Sequence, residues 1–207
     1  MGRSAEPSRP SLHRDRILQA AISVADADGL DAVTIRRVAA ELGVHFSSLY
    51  THVESKEAIF DGMVEALIAE AAIPLHHEDW QSWIRMLAGA LRRLARAHPG
   101  AVYALTRAPA TSPLAIQQTE SALSAFRRGG FSAPDAGDAV AGTSLALLGL
   151  ALNESATGRG QPPHLAALSA AEFPNLYEAA SANTDSSSVW RMIVEGLIVG
   201  LEHRRGS

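Results

Sequence analysis

The side chains with the most chemistry to offer stand together in Thr34–Lys56, TIRRVAAELGVHFSSLYTHVESK. This stretch holds Arg36 and Arg37, the imidazoles of His45 and His52, five hydroxyl-bearing residues (Thr34, Ser47, Ser48, Tyr50, Thr51) ahead of Ser55, and Lys56, the only lysine of the chain. Guanidinium and ammonium groups meet phosphate oxygens, and arginine also grips the major-groove edge of guanine through two hydrogen bonds. The set suits recognition of a nucleic acid rather than bond breaking. No catalytic set competes with it. The sequence has no Cys, no G-x-S-x-G, no P-loop and no H-E-x-x-H. Thiol catalysis, disulfides and thiolate metal sites are thereby excluded. No enzyme activity, metal or cofactor is expected. His76-His77-Glu78-Asp79 places four ligand types in a row, but in a polar joint such a run is expected to be a solvated hinge.

Groups of this kind need a rigid frame to reach a groove. A helix-turn-helix supplies one, crossing two short helices so that the second enters the major groove. The crossing needs a small residue, which Ala39 provides. It needs a sharp turn, and Gly43 can take positive φ without a Cβ penalty. Val38, Leu42, Val44 and Leu49 supply the inner apolar anchors. Thr34 is placed to cap a short helix, 35–41, and His45–His52 forms the next. Ser55 can cap a long helix, 56–73, with Glu57 in its first turn and Pro74 at its end. Ahead of these, Ile17, Ala20, Ala21, Val24 and Ala25 stripe a helix over 12–28, which Gly29 ends.

The remainder also repeats at helical period. Helices are expected near 80–97, 101–107, 112–129, 135–157, 169–181 and 188–204, punctuated by Pro99, Pro109, Pro113 and Pro134. Gly158–Ser188 reads as loop-rich. The expected fold is all-α: an N-terminal three-helix head joined by a long helix to a C-terminal helical body. The boundaries are a disordered arm at 1–11, a DNA-binding head at 12–54, and a connecting helix plus body at 55–207. Arg3, Arg9, Arg14 and Arg16 read either as an arm that tracks the minor groove or the phosphates or as a solvated tail, the tail being favoured for Arg3 and Arg9.

The chain has 207 residues, 47% apolar and 19% charged, enough for one or two domains with a real core. Net charge is −4, but its distribution matters more. Residues 1–56 hold 7 Lys+Arg against 7 Asp+Glu, and residues 57–207 hold 11 against 15, so the acidic excess lies outside the reading head. The start lacks an apolar signal region, and the longest apolar run, Leu145–Leu152, is far below the roughly 20 residues that span a bilayer. A cytoplasmic protein without membrane contact is expected.

At SLYTHVESKEAIF the sequence resembles the tetracycline-repressor (TetR) family of bacterial one-component regulators. The resemblance is carried by Gly29-Leu30, Thr34-Ile35, Val38-Ala39, Leu42-Gly43-Val44, Ser48-Leu49-Tyr50, His52-Val53, Lys56 and Ile59, close over residues 15–62. Beyond them only the helical layout is similar. The resemblance implies that Arg36, beside Thr34 at a helix start, reaches a base or phosphate. It implies that His45, Phe46, Ser47, Ser48 and Thr51 form the recognition face and that Tyr50 and His52 touch the phosphate backbone. Lys56 then meets a phosphate at a helix N-terminus. Phe46-Ser47 stands where many relatives carry a polar residue followed by Pro or Ala, which leaves the operator sequence open.

The final helix, VWRMIVEGLIVGLE, is apolar nearly all round, as for a helix buried on more than one side. Together with the Leu-rich segment 139–152, the resemblance implies a four-helix dimer bundle. Its interface would be built on Leu145, Leu148, Gly149 and Leu152 and on Ile193, Gly196, Leu197 and Gly200. The two heads would face a palindromic double-stranded operator. An effector pocket is implied among Leu67, Trp83, Met86, Tyr103, Arg107, Gln118 and Phe126, with Gln117, Thr119, Asn153 and Glu154 as further polar groups. By pattern alone, the apolar members also read as ordinary core. Ala72 and Ala104 stand where the founding member's histidines hold tetracycline and magnesium, so a different small apolar or amphipathic effector is expected. The function implied is a ligand-responsive repressor acting as a homodimer. The same head would serve an activator or a regulator without a small-molecule effector, and the sequence leaves both open.

Overall fold

The computed structural model describes residues 12–107, 112–157, 169–181 and 186–205, and among these there is no strand. The arm at 1–11 and, within the 158–188 stretch, residues 158–168 and 182–185 lie outside the described residues. Helix α1 (Arg14–Asp28) buries the stripe Ile17, Leu18, Ala20, Ala21, Ile22, Val24 and Ala25, and Gly29 ends it at φ 87°. Helix α2 (Ile35–Leu42) starts where the Thr34 hydroxyl accepts from Arg37 N at 3.1 Å and stops at Gly43, left-handed at φ 66° and ψ 32°. Both caps are those expected from the sequence.

The next element differs from expectation. Phe46–Thr51 is a 3-10 helix rather than α. Ser48 N bonds His45 O and His52 N bonds Leu49 O, both three residues back, and the Thr51 hydroxyl donates to the Ser48 carbonyl. Hydroxyls that bond nearby carbonyls compete with the longer α pattern, and so short a segment gains little from it.

Helix α3 (Lys56–Ala71) is capped by the Ser55 hydroxyl, which accepts from Ala58 N at 3.1 Å. It ends two residues before the expected limit of 73, because Ala72 turns left-handed at φ 50°, the one non-glycine with positive φ among the described residues. A connector, 72–79, leads to α4 (Trp80–Ala97), which Asp79 caps through Ser82 N at 2.6 Å. A 3-10 segment, Ala101–Thr106, follows. Then come α5 (Pro113–Arg128), α6 (Ala133–Thr157), α7 (Pro174–Ser181) and α8 (Ser186–Arg205).

Two cores result. The first joins α1, α2, Leu49, Val53 and the Ile59, Met63 and Leu67 face of α3 to Ala90 and Leu94 of α4 and to Ala101 and Ala104. Packing is therefore continuous across residue 54. The second lies among α4, α5, α6 and α8 and centres on aromatic rings. Trp80 stacks on Phe126 with centroids 5.3 Å apart, and Trp83 and Phe131 meet Phe126 edge-on at 5.7 and 5.2 Å. Such pairs add roughly 1 kcal/mol each beyond area burial.

By length and composition Ala133–Ala156 is apolar enough to cross a membrane, although part of it is buried inside the fold. Ala and Gly extend the apolar character of this helix past Leu145–Leu152. Leu145 is 72% exposed, and on α8 Met192 and Val199 are 65% and 50% exposed. A Cβ added at Gly142, Gly149, Gly196 or Gly200 would meet nothing within 4 Å.

The seam between head and body is polar at one point. Asp26 of α1 accepts from Gly100 N and Ala101 N, at 3.0 and 2.8 Å, through one oxygen. Its other oxygen pairs with His98 Nδ1 at 2.8 Å, while His98 Nε2 lies 3.0 Å from Glu70 of α3. Burial opposes charge on this imidazole, but its hydrogen bonds to Asp26 and then to Glu70 outweigh it and raise its pKa. Because the folded pKa is raised, the imidazolium's contribution to stability is full below the ordinary imidazole pKa and is lost as pH rises through the folded value. The melting temperature of His98→Asn should therefore fall furthest below wild type at mildly acidic pH, and the gap should narrow toward alkaline pH. A gap independent of pH in paired melts would contradict the charge clamp.

Candidate nucleic-acid interface

Leu49 is fully buried and plants the 46–51 segment in the first core. The crest it carries is exposed: His45, Phe46, Ser47, Tyr50, Thr51 and His52 face solvent and Ser48 is half-buried. Phe46 is 39% and Tyr50 54% exposed, which core packing does not require. His45 organises the start of the crest. Its Nδ1 lies 2.7 Å from the Ser47 hydroxyl, and its ring lies 4.5 Å from that of Phe46. Arg36 reaches over from α2, its guanidinium 5.6 Å from the Phe46 ring centroid. Arg36, His45, Phe46 and Ser47 thus form one local cluster.

The two arginines of α2 separate cleanly. Arg37 pairs with Asp28 at 2.9 Å and Glu41 at 2.8 Å. Its hydrogen bonds to Glu41 and then to Asp28 raise its pKa. It braces α2 against the end of α1. Arg36 is exposed and lies over the Phe46 ring. Thr34 is exposed and spends its hydroxyl oxygen on the cap. Lys56 opens α3 with its ammonium 5.3 Å from the Phe60 ring centroid, which holds a cation beside the helix-end amides. An N-terminal helix end plus a cation is an anion site in outline.

The residues proposed for a ligand pocket fall into different surroundings. Leu67 is in the first core, and Trp83 and Phe126 are in the aromatic cluster. Tyr103 packs against the first core. Arg107 lies at the head–body seam, bonded to Asp31 at 2.6 Å and 5.6 Å from the Phe60 centroid. Gln118 donates to the Ile73 carbonyl, at 3.5 Å. Met86 lines a cleft of about 380 Å³ with Arg85, Gly89, Arg93 and residues 71–74.

Two groups were misjudged or missed. His77 is only 6% exposed, so the 76–79 joint is not a solvated hinge throughout. No set of three or more His, Cys, Asp or Glu side chains converges as a metal site among the described residues. Glu154, read as a pocket group, ties three helices together. It pairs with Arg92 at 3.2 Å and Arg96 at 2.6 Å on α4, and it accepts from the Trp190 indole of α8. Arg92 also donates to the Ser186 and Ser187 hydroxyls at 2.9 Å. These partners lie 36 to 95 residues apart, and no local sequence signal announces them.

Comparison with known proteins decides the family. The model described as bacterial regulatory proteins, tetR family, matches residues 17–63, and that of the tetracyclin repressor-like C-terminal domain matches residues 73–205. The chain belongs to the tetR family. Among curated relatives of this TetR-family protein, the HTH-type transcriptional repressor DrrR1 of Streptomyces coeruleorubidus is 31% identical over 67% of this chain and 52% of its own length. The chain thus spans only between half and two thirds of the length of the first relatives it matches. The tetracycline repressor protein class E of Escherichia coli is 29% identical over 91% of this chain and 90% of its own. Of solved structures, ActR from Streptomyces coelicolor in complex with actinorhodin superposes with a TM-score of 0.77 at 27% identity, covering 96% of this chain and 100% of ActR. The all-helical fold, with a helix-turn-helix head and a helical body, is that of TetR-family transcription regulators.

Proposed function

We propose that this TetR-family regulator is a ligand-responsive repressor that binds a palindromic operator as a homodimer in the cytoplasm. The observation that carries the reading is the exposed 45–52 crest seated on buried Leu49, with Arg36 and Lys56 at its sides. Repression is supported by DrrR1 and the tetracycline repressors, and ligand control by ActR, which binds actinorhodin. With Ala72 and Ala104 in place of metal-binding histidines, the effector is an apolar or amphipathic molecule other than tetracycline. A ligand releases the operator only if it prefers the geometry that does not bind DNA. Helix α3 is the lever, since it begins at Lys56 and ends beside the body.

Homodimerisation is supported by the unpaired apolar faces of α6 and α8 and by the open space over their glycines. Two-fold pairing through these faces would set the crests about 34 Å apart, one turn of DNA. Leu145→Arg is expected to convert the dimer to monomer in sedimentation, and an unchanged dimer would move the interface elsewhere.

A mobility-shift assay with fragments upstream of the gene tests operator binding, and no sequence-selective, salt-sensitive band would sink the reading. Lys56→Ala should weaken specific and random DNA alike and lower the salt slope by about 1. Ser48→Ala should instead shift base preference, by about 1–3 kcal/mol at the affected position. Equal loss on both DNAs for both variants would contradict these roles.

A further inference from the structure

The connector that follows α3 is stitched to α5. Alternate carbonyls, Ile73, Leu75 and His77, accept hydrogen bonds from Gln118, Ser121 and Arg128 on that helix. Beside these stitches lies a cleft of about 760 Å³, within the range typical of small-molecule sites. It lies along the Ile116–Glu120–Ser124–Arg128 face of α5, not among Trp83, Phe126 and the other rings of the second core.

The wall is ordered along the helix axis. Leu75 and Ile116 give one end an apolar surface, and they are 38% and 58% exposed. Glu120 and Ser124 occupy the middle, and Arg128 stands at the far end. Twelve residues from 117 to 128 span about 16 Å of helix. Arg128 has one bond among the described residues, to the His77 carbonyl. His77 itself belongs to the wall, 6% exposed, and neither ring nitrogen has a partner among the described residues.

We propose that this cleft binds a hydroxylated carboxylic acid with an apolar tail: carboxylate on Arg128, hydroxyl donating to Ser124 Oγ, tail over Leu75 and Ile116. An occupant seated against the stitches shifts the connector, and with it the end of α3. This last step rests on the ligand-responsive reading above, whereas binding itself does not.

The test is calorimetric titration of the full-length protein with β-hydroxydecanoate and, as a charge control, its methyl ester. The acid should bind more tightly than the ester. Arg128→Gln should weaken the acid at least tenfold and leave the ester unchanged, and Ser124→Leu, which fills the cleft, should abolish both. Circular dichroism melts identify a variant that fails to fold, and the other variant then decides. No binding tighter than about 1 mM, or binding that neither variant alters, overturns the site. Operator release is measured separately: acid binding lost in both variants, with no effect on DNA affinity, upholds the cleft and refutes only its link to the operator.

Discussion

Glu154→Ala is expected to lower the stability of this protein by about 3 kcal/mol, the low end of the loss for breaking a buried ion pair, because Arg96 is 58% exposed and contributes less than Arg92. The carboxylate is 10% exposed and gathers Arg92, Arg96 and the Trp190 indole. Without it, Arg92, itself only 19% exposed, keeps its charge and loses its counter-ion. Burial acts to raise the Glu154 pKa, but the donors from Arg96, Trp190 and Arg92 prevail and lower it. A lowered folded pKa means that the stabilisation is present above the ordinary carboxylate range and is lost as pH falls through the folded value. For a chain of this size the melting temperature at neutral pH should drop by about 10 °C. The drop should shrink in acid. A neutral-pH melt within a degree or two of wild type would show that the network contributes little.

Gly100→Ala should be at least as damaging. Its backbone sits at φ −98°, open to any residue, so conformation is not the obstacle. Space is: a Cβ there would lie 1.8 Å from the Ala25 carbonyl oxygen and 2.5 Å from its carbon. Neither belongs to a side chain that can rotate away. Either α1 or the 101–106 segment must move, which breaks the bonds from Gly100 and Ala101 to Asp26. Overpacking of this severity costs about 3 kcal/mol or more. Truncating the neighbour in Gly100→Ala/Ala25→Gly should not restore the melt, because the clash is with main chain. Recovery in that double variant would refute the close approach.

The parts legible in the sequence were those whose signals are local. Thr34, Gly43 and Ser55 mark helix ends because each side chain, or its absence, acts on backbone within three residues. The crest was legible because Ser48, Tyr50 and Lys56 surround Leu49 in a pattern that core packing alone does not produce. The 3-10 character of Phe46–Thr51 was not, since hydroxyl-to-carbonyl bonds decide it over a margin that periodicity does not sense. The role of Glu154 was also hidden, because its partners arrive from α4 and α8 only once the body is assembled. His77 misled for a related reason. Its polar neighbours in sequence suggested solvent, but Arg128 binds its carbonyl and the α5 stitches hold the connector inward.

The unbroken first core has a practical consequence for anyone building chimaeras. A recombination point at residue 54 looks natural on the sequence, where the helix-turn-helix ends. In the folded chain it would cut between Leu49 and Val53 on one side and Ile59, Met63, Leu67, Leu94 and Ala101 on the other, all parts of one cluster. A transplanted operator-reading module would bring half a jigsaw to a foreign second half. Grafts that carry α3 and also match Ala90, Leu94, Ala101 and Ala104 to the donor should keep both partners' properties, and shorter ones should fail by misfolding before their DNA preference is ever tested.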